Sequence, residues 1–143
     1  MIDIFRCYNV TQKHASVFLD QKLEKYGLCS CHRIFIKRIA SNPGITRDQL
    51  KNIAHVHPSN TTRAIDYLEE KGFLIKSVKE EDKRICQLFP TDKLLEVYDV
   101  LVKAEQEWID IITEGFSEEE LENFKKYLNL STELSVKYIH KEK

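Results

Sequence analysis

HPSNTTRAIDYLEEKGF, residues 57–73, reads as a helix whose first turns are crowded with Ser59, Asn60, Thr61, Thr62 and Arg63. Ser, Thr and Asn are indifferent helix formers, because their side chains compete for the backbone's own hydrogen bonds. The later turns are well patterned, with Thr61, Ala64, Ile65 and Leu68 at the spacing of one buried face. Pro58 suits a first turn, where its missing N–H costs nothing, and Gly72 marks the stop. On this register Ser59, Asn60, Thr62 and Arg63 lie together on the outward side.

Upstream, TRDQ (46–49) has the pattern of a capping box and starts a short helix carrying Leu50 and Ile53. A brief turn, 54–57, joins it to the polar-fronted helix. Downstream, FLIKSV and RICQLF are β-rich runs separated by the charged KEEDK, a hairpin with a polar tip. Before this block a helical stripe runs from Ile4 to Tyr26 with Gly27 as its stop, and a second helix from about Ser30 to Ala40 ends at SNPG. After it, Thr91 caps a long helix over about 92–114, and a second capping box, SEEE (117–120), opens a last helix with Leu121, Phe124, Leu128, Leu134 and Tyr138. The expected fold is mainly α with a small β-wing: a winged helix–turn–helix lobe plus long N- and C-terminal helices.

That order gives the polar helix a purpose. A helix entering the DNA major groove approaches by its N-terminal end, where the dipole and free N–H groups meet phosphate. Short side chains permit the approach, Ser, Thr and Asn meet base edges, and Arg bonds guanine bidentately. The expected contacts are Ser59, Asn60, Thr62 and Arg63, with Thr46 at the start of the preceding helix and Lys83 and Arg84 on the wing.

The run NPGITRDQLKNIAHVHPSNTTRAIDYLEEKGFLIKSVKEEDKRICQLFPT (42–91) resembles the DNA-binding lobe of the MarR family of bacterial transcriptional regulators. It follows, without a gap, that family's helix–turn–helix, L-E-E-K-G, strand and wing bearing D-x-R. The flanking helices extend the likeness to nearly the whole chain. The resemblance implies a homodimer held by the first and last two helices, so that 1–28 and 92–143 dimerise and 29–91 binds double-stranded DNA. It implies that Arg84 enters the minor groove and that Asp82 orients the basic side chains of the wing. Three positions depart from the pattern: His55 where glycine is usual in the turn, Pro90 in place of an apolar residue before Thr91, and Lys83 where a second wing arginine is common. Lysine keeps the charge but loses the planar fork.

Dimerisation has independent support in the residues. Trp108, the apolar cluster at 109–112, and Tyr127, Leu130, Leu134 and Tyr138 make more than one apolar stripe, too much for one small lobe to cover. A twofold dimer presents two recognition helices about 34 Å apart and reads a pseudo-palindrome.

The net charge of −1 is unevenly spread. Residues 33–84 hold 11 Lys/Arg against 7 Asp/Glu, and residues 85–143 hold 7 against 13. A basic centre beside an acidic C-terminal part suits one anion-facing module and a second with another task. The N-terminus lacks the apolar core of a signal peptide and no run reaches the roughly 18 apolar residues of a membrane span, so a cytoplasmic protein without membrane contact is expected. Scattered Cys7, Cys29, Cys31 and Cys86 are expected as free thiols in a reducing compartment. A phosphate loop, a nucleophile elbow and a catalytic carboxylate–His or carboxylate–Cys constellation are all missing, which argues against an enzyme, and no cofactor is expected.

The resemblance also implies a repressor released by a small aromatic or anionic effector, with His32, Arg33 and Trp108 as candidates for its crevice. Thiol sensing is an alternative. Cys7 lies in the first helix, near where peroxide-sensing members of the family carry their reactive thiol, but the tyrosines that hold that thiolate have no counterpart in CSCHRIFIKRI. Cys29 and Cys31 lie at an expected helix start, where the dipole lowers a thiol pKa. C-x-C with His32 offers soft ligands, but without an H-x₃-H on the long helix or a second C-x-x-C no metal site is expected. A winged-helix protein adaptor that never meets DNA would leave Arg84 without a purpose.

Overall fold

The computed structural model describes residues 1–53 and 56–141. Ala54 and His55 of the expected turn, including the His55 departure from the family pattern, therefore lie outside the described residues. The chain divides into two compact units, 1–108 and 109–143.

In the first unit, α1 (Ile4–Leu23) starts at Asp3, whose carboxylate accepts the Arg6 amide at 2.9 Å. It ends three residues earlier than the apolar stripe suggested, because residues 24–26 tighten into a 3₁₀ turn. Gly27 then takes φ +71°, and the amides of Gly27 and Leu28 close the end on the carbonyls of Glu24 and Leu23. A second 3₁₀ turn, Ser30–His32, precedes α2 (Arg33–Ser41). The helix expected from Ser30 thus becomes α-helical only at Arg33.

The capping box at Thr46 is present in both directions: the Thr46 amide reaches Gln49 Oε1 at 2.9 Å, and the Gln49 amide reaches Thr46 Oγ1 at 3.1 Å. It starts α3 (Arg47–Ile53). Next comes α4 (Pro58–Glu70), with proline in its first turn as expected. Its end is a Schellman closure: Phe73 donates to the Leu68 carbonyl and Gly72, at φ +78°, to that of Glu69.

The expected two-stranded hairpin is part of a three-stranded antiparallel sheet. Its order is β1 (Ile45–Thr46), β3 (Cys86–Pro90), β2 (Leu74–Val78). Ile45 pairs with Leu88, and Leu74 with Pro90, so β3 is central rather than an edge. Pro90 is tolerated there because it is the last residue of the strand. The sheet and helices enclose a core in which Ile36, Ile39, Leu50, Ile65, Leu68, Phe73 and Leu88 are fully buried. The long α5 (Asp92–Ile112) seals it with Leu94, Val97 and Leu101. Thr91 caps α5, accepting the Leu94 amide at 3.4 Å while its hydroxyl lies 2.7 Å from the Gly72 carbonyl.

In the second unit, α6 (Glu118–Lys141) opens on the Ser117–Glu120 box. The Ser117 amide and hydroxyl hold the Glu120 carboxyl below its ordinary range. Leu121 and Phe124 are half-buried, and Phe124 meets Phe116 edge-on at 5.9 Å. No residue of α6 is fully buried.

Among the described residues no helix is long and apolar enough to cross a membrane.

Candidate nucleic-acid interface

The front of α4 is built by its own cap. His57 is extended, and its Nδ1 accepts the Ser59 amide at 3.2 Å and lies 2.6 Å from Ser59 Oγ. Ser59, Asn60 and Arg63 are exposed and Thr62 is half-buried, while Thr61, Ala64, Ile65 and Leu68 are buried. Arg63 Nη2 donates to Asn60 Oδ1 at 2.6 Å, so the two side chains best suited to base edges fasten each other in the free chain. Thr46, the other helix–turn–helix candidate, is half-buried with its hydroxyl committed to the Gln49 amide.

The wing loop between β2 and β3 is pinned by Asp82. Its carboxylate accepts the Arg84 amide at 3.0 Å and its carbonyl accepts the Ile85 amide at 3.0 Å. Lys83 and Arg84 are exposed at the tip. The contact made by Asp82 is thus to the backbone carrying Arg84.

Lys76 of β2 joins wing to helix. Its ammonium lies 2.7 Å from both Asp66 and Glu69 of α4, and Arg47 of α3 stands 4.0 Å from Asp66. Burial opposes the Lys76 charge, but the two carboxylates outweigh it and hold the ammonium above the usual lysine range. The Lys76 hydrogen bond in turn holds Asp66 below the usual carboxylate range. The sequence carries no local sign of this tie, which links residues ten apart across the turn that ends α4.

Beside α4 opens a cleft of about 590 Å³. Cys31, His32 and Phe35 form one wall, and Asn60, Arg63 and Tyr67 of α4 form another. The His32 ring stacks on Tyr67 with centroids 5.0 Å apart and planes 11° from parallel, and the Tyr67 hydroxyl donates to the Gly27 carbonyl. Burial pushes the His32 imidazole below its ordinary value. Of the three residues expected to share a crevice, only His32 lines this cleft. Arg33 is paired instead with Glu105, which also takes Lys37 at 2.6 Å, and the Trp108 ring packs against Phe18 at 5.4 Å.

The cysteines need a correction. Cys7, exposed, and Cys86, half-buried, are free thiols, but Cys29 and Cys31 form a disulfide. The extended backbone at Cys29 followed by a 3₁₀ turn puts both side chains on one side, with Cα atoms 5.2 Å apart. They therefore lie ahead of α2, which begins two residues after Cys31. C-x-C-His was visible in the sequence, whereas its convergence depends on that turn.

The family model for MarR matches residues 36–86, from within α2 to the first residue of β3. A solved MarR protein from Peptoclostridium difficile is 31% identical, with a TM-score of 0.90 over 99% of this chain and 93% of its own. The chain belongs to the MarR family. Its members are transcriptional regulators rather than enzymes, and the winged helix is their fold. Among curated relatives, the HTH-type transcriptional regulator YybA of Bacillus subtilis is 34% identical over 96 residues, 67% of this chain and 64% of YybA, so the match spans less than two thirds of that relative. A putative MarR regulator of Listeria monocytogenes, solved in complex with a 26mer DNA, is 26% identical, with a TM-score of 0.82 over 93% of this chain and 89% of its own.

Proposed function

We propose that this chain is a cytoplasmic, sequence-specific DNA-binding repressor that acts as a homodimer on a pseudo-palindromic operator. The observation that carries the reading is the division of α4, with Ser59, Asn60 and Arg63 exposed on the side opposite buried Ala64, Ile65 and Leu68. Asn60 and Arg63 read base edges in the major groove once their mutual hydrogen bond is exchanged for bonds to the bases. Ser59 and Thr62 line the approach, Thr46 holds the start of α3 near the backbone, and Lys83 and Arg84 reach the adjacent groove from a wing that Asp82 keeps in shape. The DNA complex of the Listeria regulator supports a nucleic-acid partner for this fold.

The dimer rests on apolar surface that a lone chain leaves in water. Phe5 is 76% exposed, Tyr8 62%, Leu134 56% and Tyr138 63%. Surface of that kind, on the first and last helices, marks an interface. Residues 1–28 and 92–143 are then the dimerising parts and 29–91 the DNA-binding lobe. Release by a small anionic or aromatic effector fits the cleft beside α4, where Arg63 supplies charge and Phe35 and Tyr67 supply aromatic faces. An effector seated there competes with DNA for Arg63.

Selection from a pool of random duplexes with the full chain tests the central claim. The expected product is an inverted repeat with half-sites about one helical turn apart, roughly 34 Å. A pool that shows no enrichment overturns the reading in favour of a protein-binding adaptor.

A further inference from the structure

Cys29, Cys31 and His32 bring two sulfurs and an imidazole nitrogen within 4.8 Å of one another. The local fold sets this arrangement. The His32 amide bonds the Cys29 carbonyl at 3.0 Å, the Cys29 amide bonds His32 Nδ1 at 3.1 Å, and Asp20 of α1 holds the Ser30 amide at 2.6 Å. Nδ1 consequently stands 3.5 Å from Cys29 Sγ and 3.6 Å from Cys31 Sγ. A tetrahedral zinc ion with Zn–S near ~2.3 Å and Zn–N near ~2.0–2.1 Å has sulfur–nitrogen edges of about 3.6 Å and a sulfur–sulfur edge of about 3.8 Å. Both sulfur–nitrogen edges are already in place. The third opens when the disulfide is broken.

We propose that reduced Cys29 and Cys31, together with His32 Nδ1, form a site for a thiophilic d¹⁰ cation, Zn²⁺, whose fourth position faces the cleft beside α4. The disulfide takes up two electrons and two protons from a dithiol reductant, which itself becomes a disulfide, and the two thiols release two protons as their thiolates bind the ion. The disulfide and metal-bound forms exclude each other. A plain structural disulfide needs neither the imidazole nor the open cleft, and a soft-metal site uses both.

The ion's occupancy reaches α4 through Tyr67. When Nδ1 takes the ion, the Cys29 amide loses its acceptor and the ring stacked on Tyr67 is positioned by the metal instead of the turn. Tyr67 lies one helical turn beyond Arg63, on the wall of the same cleft. This readout rests on the DNA-binding reading above, whereas the site itself does not.

The test uses the untagged full chain, reduced with a dithiol and desalted without oxygen, then titrated with Co²⁺ and with Zn²⁺ against a chromophoric chelator. A single ion per chain is expected, with thiolate-to-cobalt charge-transfer absorption that Zn²⁺ abolishes. Affinity should fall at least about 10–100-fold in Cys31→Ser and in His32→Gln, since changes outside the ligand set alone cost that much. It should hold in Cys7→Ser and vanish in the disulfide form, with circular dichroism showing each protein folded. Absence of the absorption in the reduced chain, or its survival in Cys31→Ser, overturns the site. Operator affinity should differ between the reduced metal-free and zinc-bound forms, and that difference should disappear in Tyr67→Leu with metal binding retained. Equal operator affinity in the two forms overturns the readout. Zinc binding without any operator binding instead overturns the DNA-binding reading and leaves the site standing.

Discussion

The lobe from α2 to the wing and the last helix, α6, solve the same problem in opposite ways. Both carry apolar stripes at helical spacing. In the lobe those stripes close on one another, and Ile36, Leu50, Ile65, Phe73 and Leu88 have no exposed surface at all. In α6 most of the stripe beyond Phe124 stays exposed: Tyr127 is 59% exposed, Leu130 47% and Leu134 56%. Periodicity shows that a face is to be covered, but not by what. The lobe is finished within the chain, whereas α6 awaits the partner proposed above.

The largest effect should come from spoiling the unfinished half. With the dimer proposed above, Leu130→Asp combined with Leu134→Asp should yield single chains in sedimentation and lower operator affinity roughly 10²–10⁴-fold, the avidity lost when two linked contacts become one. A dimer that survives the pair would place the interface elsewhere.

Breaking the finished half should act on folding instead. Ile65→Ala should cost about 2–5 kcal/mol in urea denaturation, by leaving a cavity in a closed core. A loss below about 1 kcal/mol would mean that α4 is held by something other than this packing.

A smaller effect is expected at the exposed rim of the same helix. Arg63→Ala should weaken operator binding by about 1–3 kcal/mol and relax one base position. The same loss on random DNA would reduce Arg63 to a phosphate contact.

The smallest effect concerns the tie between helix and wing. Lys76 holds the Asp66 carboxyl below its usual range, so the pair stabilises the fold above the ordinary carboxylate pKa and loses that contribution as pH falls through the lowered folded value. Asp66 is 55% exposed, and solvent screening limits the contribution to about 0.5 kcal/mol or less. Asp66→Asn should therefore lower stability slightly at pH 7 and not at a pH below the folded value. An equal loss at both would show that charge plays no part.

Much of this was legible beforehand because its causes are local. The boxes at Thr46 and Ser117, the proline start of α4 and the glycine stops at Gly27 and Gly72 each involve residues within five positions. So does the separation of Asn60 and Arg63 from Ala64 and Ile65, which only needs 3.6 residues per turn. The apolar stripe runs three residues past the end of α1, because the 3₁₀ turn at 24–26 keeps apolar residues in a nearly helical rhythm. The third strand has no sign in the sequence: two residues, Ile45 and Thr46, carry no period, and they form a strand only because β3 is beside them.

The sequence by itself therefore determined the helices, their caps, the polar front of α4 and the order that makes a winged helix, since each depends on neighbours a few residues apart. Tertiary structure alone decided which groups far apart in the chain meet. Glu105 pairs with Arg33 across 72 residues, Lys76 binds Asp66, and β3 becomes central. His32 comes to rest against both Tyr67 and two sulfurs. Distances of that kind depend on how surfaces pack, which no local period records.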